Sequence, residues 1–323
     1  MTPAEAPKIA PDEKVALVLG AGGARGLAQI GVIEALQARS LNIVTVAGSS
    51  SGALVGGLFA AGKLDVFRDW LLGMSRTDML RLLDPGFGQP ALLRGERLMA
   101  ALRERAGEPR IEDLAVDFTA VAVDLMRQRE VWLREGDLWD AVRASIAIPG
   151  LFTPYTVHGR ELVDGGLLAP LPIAATRLSD AHRLIAVDMH GWPKRPPGKP
   201  AEPEAEAPPG QGFEPGNGTR QRLAGWIGRR LGNGEQHAGQ HTGKPDDAPD
   251  DAAPSEFGMT ELMARALDTM QAQIARVQLA LDPPELVIRI PRDACLFYEF
   301  WRAKELIAIG REEAELALDA AGY

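Results

Sequence analysis

Two short apolar runs, Val15-Ala16-Leu17-Val18-Leu19 and the stretch from Ile43 to Ala47, each end in glycine and each lead into a segment of helical periodicity. Runs this short and this uniformly apolar mark strands buried on both faces, as in a parallel sheet. After the first, Leu27, Ile30, Ile33 and Leu36 recur at helical spacing up to Arg39; after the second comes the Ala- and Leu-rich stretch Ala53 to Ala61. Strand, helix, strand, helix predicts an α/β sheet, because parallel strands need a crossover and a helix supplies it.

The same periodicities organise the rest of the chain. Asp65 to Arg105 reads as largely helical, broken around Asp84-Pro85-Gly86, and is expected to cover the sheet or line a cleft beside it. Phe118 to Leu125 and Glu130 to Leu133 suggest a hairpin-like pair, Leu138 to Ile146 a helix, Glu161 to Val163 a short strand and Leu184 to Asp188 a buried one. Thr260 to Leu281 is a long amphipathic helix, Leu286 to Ile290 a strand, and Trp301 to about Ala317 a last helix. Ten of the 24 prolines fall between Pro196 and Pro254 among Gly, Glu, Asp, Gln and His, a mixture that cannot bury a core. The expected organisation is a flexible N-terminus (1–13), a core (14–191), a disordered insert (192–255) and a C-terminal part (256–323) that completes the same domain.

Composition narrows the partners. The net charge of -9 repels polyanions and no Lys/Arg block offsets it, so nucleic acid is not an expected partner. The one cysteine, Cys295, allows no intramolecular disulfide and offers no metal-ligand spacing; it is expected to be a small buried hydrophobe. Met1 to Lys14 lacks the apolar stretch of a secretory signal and no run reaches transmembrane length, which predicts a cytoplasmic location. Within the insert, Leu223, Trp226, Ile227 and Leu231 recur at helical spacing among Arg220, Arg222, Arg229 and Arg230. Segment 220–231 is therefore a candidate for peripheral contact with an anionic membrane surface, although Gly225, Gly228 and Gly232 weaken a helix there. Oligomeric state is not legible.

Gly48-Ser49-Ser50-Ser51-Gly52 matches G-x-S-x-G where a buried strand turns into a helix. Gly48 and Gly52 allow the tight turn that exposes Ser50, the candidate nucleophile, and the next helix points its unpaired N–H groups at charge developing nearby. Ser49 and Ser51 read as turn or cap residues. One βα unit upstream, Gly20-Ala21-Gly22-Gly23-Ala24-Arg25-Gly26 leaves backbone N–H groups unobstructed for an anion or an oxyanion. It is a poor dinucleotide fingerprint: Arg25 stands where the third glycine belongs, and the next strand runs into Gly48-Ser49-Ser50, not an acidic residue. Gly57 to Lys63 mimics a P-loop, but Leu64 replaces the required hydroxyl. Leu162-Val163-Asp164-Gly165-Gly166 ends a short strand in a carboxylate, which makes Asp164 a candidate base for the Ser50 proton. A Ser-His-Asp triad needs a histidine in reach, and none is well placed. His237 and His241 lie in the insert, His158 is in a turn, and His182 and His190 flank a strand, all expected at the surface or an edge. A Ser50–Asp164 dyad is the better reading.

These three motifs, in this order, resemble the patatin-like phospholipase family. Ala144-Ser145-Ile146-Ala147-Ile148-Pro149-Gly150-Leu151-Phe152 is similar to a further block of that family, and Gly26 to Val32 to its first helix. The resemblance covers roughly Lys14 to Asp188, more weakly Glu256 to the end. It implies a three-layer α/β sandwich with a mainly parallel sheet between helices, and a lipid or acyl-ester substrate hydrolysed by the Ser50–Asp164 dyad without metal or cofactor. It also implies an oxyanion hole from the N–H groups around Gly22, Gly23 and Ala24, supported by Gly20, Arg25, Gly26, Gly48, Gly52, Gly165 and Gly166. Arg25 matches a basic family position that either fixes the loop or meets anionic substrate. Ser49 and Ser51 stand where threonine and alanine are common, both small enough to keep the turn. Three alternatives stay open: an α/β-hydrolase triad, a lipid-binding protein without turnover, and acyl transfer to an alcohol.

Overall fold

A computed structural model describes residues 9–10, 12–82, 84, 93–194 and 259–323. Its centre is one eight-stranded sheet: β1 (Lys14–Leu19), β2 (Asn42–Ser49), β3 (Asp117–Asp124), β4 (Arg129–Leu133), β5 (Tyr155–Val157), β6 (Arg160–Asp164), β7 (Arg183–Gly191) and β8 (Leu286–Pro291). β3, β2, β1, β7 and β8 lie side by side and parallel, which follows from their continuous apolar runs and helical crossovers. β4, β5 and β6 are antiparallel additions around β3. β8 pairs with β7, so the segment after the Pro-rich stretch extends the same sheet.

The helices are α1 (Ala28–Ala38), α2 (Ser51–Ala60), α3 (Leu64–Leu72), α4 (Arg76–Leu82), α5 (Glu96–Ala106), α6 (Leu138–Ser145), α7 (Met259–Leu281) and α8 (Ala303–Ala320). Strand alternation divides the core between two faces. Val15, Leu17 and Leu19 of β1 and Ile185, Val187 and Met189 of β7 join the large core beneath α1, α2, α6 and α8. Val18 and Ala186 point the other way, into a thin layer of Leu171, Ile173 and Ala275 under a 3-10 turn (Ile173–Thr176) and α7. The sandwich has three layers, one thick and one thin. α2 is apolar all round because it sits within the thick layer, with nine of its residues buried.

The structure departs from expectation in three places. Ile9 is fully buried in the main core, so the flexible N-terminus does not extend over all of 1–13; a lone apolar residue has no periodicity to betray it. The helix read from Leu27 is preceded by a 3-10 turn, Gly23–Leu27, before α1 begins at Ala28. β5 escaped the sequence because its residues are only half-buried; it returns into β6 through His158 and Gly159, both with positive φ as in a type I′ hairpin. Of the insert, residues 192–194 are described; the remainder, with its amphipathic stretch 220–231, lies outside the described residues.

Candidate active site

Ser50 follows β2 and caps α2 with φ 56° and ψ -124°, a conformation that costs a non-glycine residue about 1–3 kcal/mol. Several contacts hold it there. The Ser50 N–H donates to Ser145 Oγ at 3.0 Å, and that hydroxyl donates to the Val121 carbonyl at 2.6 Å. Ser49 Oγ donates to the Ala169 carbonyl at 2.6 Å, while the Ala53 and Leu54 N–H groups share the Ser50 carbonyl. Gly52 lets α2 pass over β1, since a Cβ there would lie 2.1 Å from the Leu19 carbonyl oxygen; Gly48 backs onto the Gly52 carbonyl. Ser145 lies in the Ala144–Phe152 block, yet no motif marks its hydroxyl for this role.

Asp164 reaches Ser50 through β3. Val121 pairs with Ser49 of β2 on one side and Trp132 of β4 on the other, whereas Ala122 pairs with Asp164 of β6 and Val131 of β4. A strand has two edges and β4 occupies one, so β2 and β6 share the other. They run at each other along it and stop at adjacent residues of β3. Gly165 seals the junction against the Val121 carbonyl and Ser49 Oγ.

The Asp164 carboxyl is buried. Oδ1 accepts the Gly166 N–H at 2.7 Å; Oδ2 has no hydrogen bond. Burial pushes the pKa up to about 7, against smaller lowering by the Ser50 hydroxyl and the Gly166 N–H. The hydroxyl is close enough to be felt by the carboxyl yet short of a formed bond to Oδ2.

The glycine loop closes a third side. Gly26 packs against the Ser51 side chain and Gly166 against Ala21. Gly20 and Ala21 donate to Val187 and Pro170 carbonyls at 3.1 and 2.8 Å. Gly23 has φ 57°, and a Cβ there would meet the Phe297 ring at 2.4 Å. Among the described residues the Gly22 and Gly23 N–H groups take part in none of the loop's backbone bonds. Ala24 corrects the expected trio of donors: its N–H is already given to the Phe297 carbonyl at 2.9 Å, because the C-terminal segment crosses the loop there. Arg25 is buried; Nη1 donates to the Arg292 carbonyl at 2.9 Å and Nη2 pairs with Asp268 of α7. Of its two expected roles, the loop-fixing one is observed.

His190 is a second correction. It is buried between Asp188 and Asp268, which raise its pKa despite the opposing effect of burial, because β7 runs on beyond Asp188 under α7. His158 and His182 are exposed, and His237 and His241 lie outside the described residues. No described histidine bonds Ser50. Among the described residues there is no group of side chains that would hold a metal ion, and no helix is long and apolar enough to cross a membrane.

The Patatin-like phospholipase model matches residues 17–177, a span that contains all three motifs. An uncharacterised NTE family protein of Mycobacterium tuberculosis is 39% identical over 95% of this chain and 92% of that protein. Lysophospholipase nte1 of Emericella nidulans is 32% identical over 54% of this chain and 12% of that protein. Among solved structures, VipD from Legionella pneumophila is similar with a TM-score of 0.42 and 15% identity, over 95% of this chain and 67% of that one. The chain belongs to the patatin-like phospholipase family, beside the NTE family proteins that it matches over nearly their whole length.

Proposed function

We propose that the chain is a serine acyl hydrolase of lipid carboxylic esters that works through a Ser50–Asp164 dyad. The carrying observation is the junction on β3, where the strand ends of Ser50 and Asp164 meet and leave Asp164 Oδ2 buried without a hydrogen bond beside the Ser50 hydroxyl. Relatives named lysophospholipase support a lipid ester as the substrate class.

Ser50 Oγ attacks the ester carbonyl carbon as its proton passes to Asp164. The carbonyl electrons move onto oxygen, which meets the Gly22 and Gly23 N–H groups and the Ser51 N–H that opens α2. Collapse expels the alcohol, which leaves with the proton from Asp164, and the acyl group remains on Ser50. Water then gives its proton to Asp164 and attacks the acyl-enzyme; the fatty acid departs and Ser50 recovers its proton. Burial makes Asp164 a stronger base than an exposed aspartate.

The test is hydrolysis of a lipid extract by wild type, Ser50→Ala and Asp164→Ala, with products identified and serine labelled by a fluorophosphonate. Both variants are expected to fold and to release no fatty acid, and Ser50→Ala to lose the label. Turnover by either variant overturns the dyad; a folded wild type without label or turnover points to lipid binding alone, and an acylated alcohol in place of free acid to acyl transfer.

A further inference from the structure

Beside the glycine loop lies a buried histidine, His190, that the hydrolysis steps leave unused. Met189 and His190 stand opposite Ile290 alone, between the pairs Asp188–Arg289 and Gly191–Pro291, so β7 bulges there. The bulge lies against the loop, since a Cβ on Gly22 would stand 2.7 Å from Met189 Cγ. The His190 N–H donates to Asp188 Oδ1 at 2.9 Å. In its ring, Nδ1 is 3.5 Å from Asp188 Oδ1 and Nε2 is 3.5 Å from Asp268 Oδ1, and Nε2 makes no hydrogen bond. That same Asp268 oxygen pairs with Arg25 Nη2 of the loop.

The two carboxylates decide the state of the ring. A carboxylate only accepts, and a neutral imidazole has one N–H and one bare lone pair, so the neutral ring would set a lone pair against one of them. Only the imidazolium presents an N–H to each. The charges agree: Asp188 and Asp268 against Arg25 leave one negative charge in a largely buried cluster, and a protonated His190 cancels it. Burial and the Arg25 charge oppose protonation, yet the two aspartates outweigh them and hold the ring above its ordinary pKa. Of the surrounding groups, Arg289 of β8 acts on Asp188, and Cys295, which feels the Arg25 charge, keeps its proton up to about 12.

We propose that His190 is a positioning residue for hydrolysis: as an imidazolium it holds Asp268 against Arg25 and so keeps the glycine loop in the shape that receives the oxyanion. This deepens the hydrolase reading and rests on it. Loss of the ring proton turns a lone pair towards a carboxylate and leaves the cluster negative. Asp268, the member with access to solvent, then turns away and Arg25 loses its partner. Neither Ser50 nor Asp164 takes part in that change, so the chemical step slows while substrate binding holds.

The experiment reads ring, loop and turnover separately in the full chain. Nitrogen-15 histidine resonances of the Ser50→Ala protein, with His190 assigned by its absence when His190→Gln is added, are expected to show an imidazolium at pH 7. Amide exchange of Gly20–Leu27, read by mass spectrometry in the same two proteins at one pH, is expected to be about tenfold or more faster without His190. On a dissolved short-chain ester, His190→Gln alone is expected to lower kcat about tenfold with KM little changed. The wild-type kcat is expected to fall at the alkaline pH where the ring titrates. Asp188→Asn removes one carboxylate and is expected to move ring titration and kcat fall together to lower pH. Circular dichroism checks folding; where His190→Gln does not fold, the Asp188→Asn shift decides. A neutral His190 at pH 7, loop exchange or kcat indifferent to His190→Gln, or a ring titration that Asp188→Asn moves without the kcat fall overturns the proposal. A wild type without turnover refutes the hydrolase reading alone, and ring and loop still decide whether His190 holds the loop.

Discussion

Arg25 of the glycine loop is buried against Asp268 of α7, 243 residues further along the chain. The loop beside Ser50 thus takes its shape from the C-terminal part of the protein, which also supplies the Arg292 and Phe297 carbonyls. Asp268→Asn removes the charge that Arg25 faces. About a third of the Asp268 side chain reaches solvent, so the stability loss should fall below the roughly 3–5 kcal/mol of a fully buried pair. Turnover should fall more than stability: about tenfold or more in kcat with KM little changed, and Asp268→Glu should restore part of it. Steady-state kinetics on a soluble ester checks the split between kcat and KM.

The raised pKa of Asp164 has two signed consequences. A base must be unprotonated, so kcat/KM for a soluble ester should climb with pH along a limb centred near 7 and level off above it.

Stability runs the other way. The folded protein holds the Asp164 proton up to about 7 while the unfolded chain releases it near 3.8, so ionisation of this group costs stability as pH rises through that window. Asp164→Asn should therefore melt above wild type at pH 8, by about 3–6 °C, with the gap closing towards pH 4. Thermal unfolding at the two pH values measures it.

Ser145→Ala should damage the site without touching substrate. It leaves the Ser50 N–H and the Val121 carbonyl without their buried partner, at about 1–3 kcal/mol. The strained turn at Ser50 should relax, with kcat down about tenfold or more. Ser145→Thr keeps the hydroxyl and should retain most of the melting temperature and activity; equal loss in both variants would contradict this role.

Cys295 should be inert. Burial pushes its thiol up to about 12, so iodoacetamide at pH 8 should modify it only after denaturation, and treated folded protein should keep its activity. Mass spectrometry of the intact chain reads the adduct.

The parallel strands were legible because burial on both faces leaves an unbroken apolar run, and the three motifs because each needs glycines at fixed steps. β5 was not, since a half-buried edge strand carries no clean alternation. Ser145 and Asp268 were invisible for another reason: a hydroxyl or carboxylate that holds a loop far away in sequence looks like any other until the chain folds. His190 was misjudged because flanking a strand says nothing of which helix crosses it. The small cluster of Ala47, Val121, Ala169 and Ala175 is made mostly of residues too small to signal a core.

Because β2 and β6 end on neighbouring residues of β3, the spacing of Ser50 and Asp164 is gauged by a strand that contributes neither. One residue inserted between Val121 and Ala122 would drive the two ends apart by about 3.3 Å and turn the following side chains over. The segments from α3 to α5 carry no share of that gauge. They are free to lengthen, shorten or change character while the spacing of Ser50 and Asp164 stays as it is.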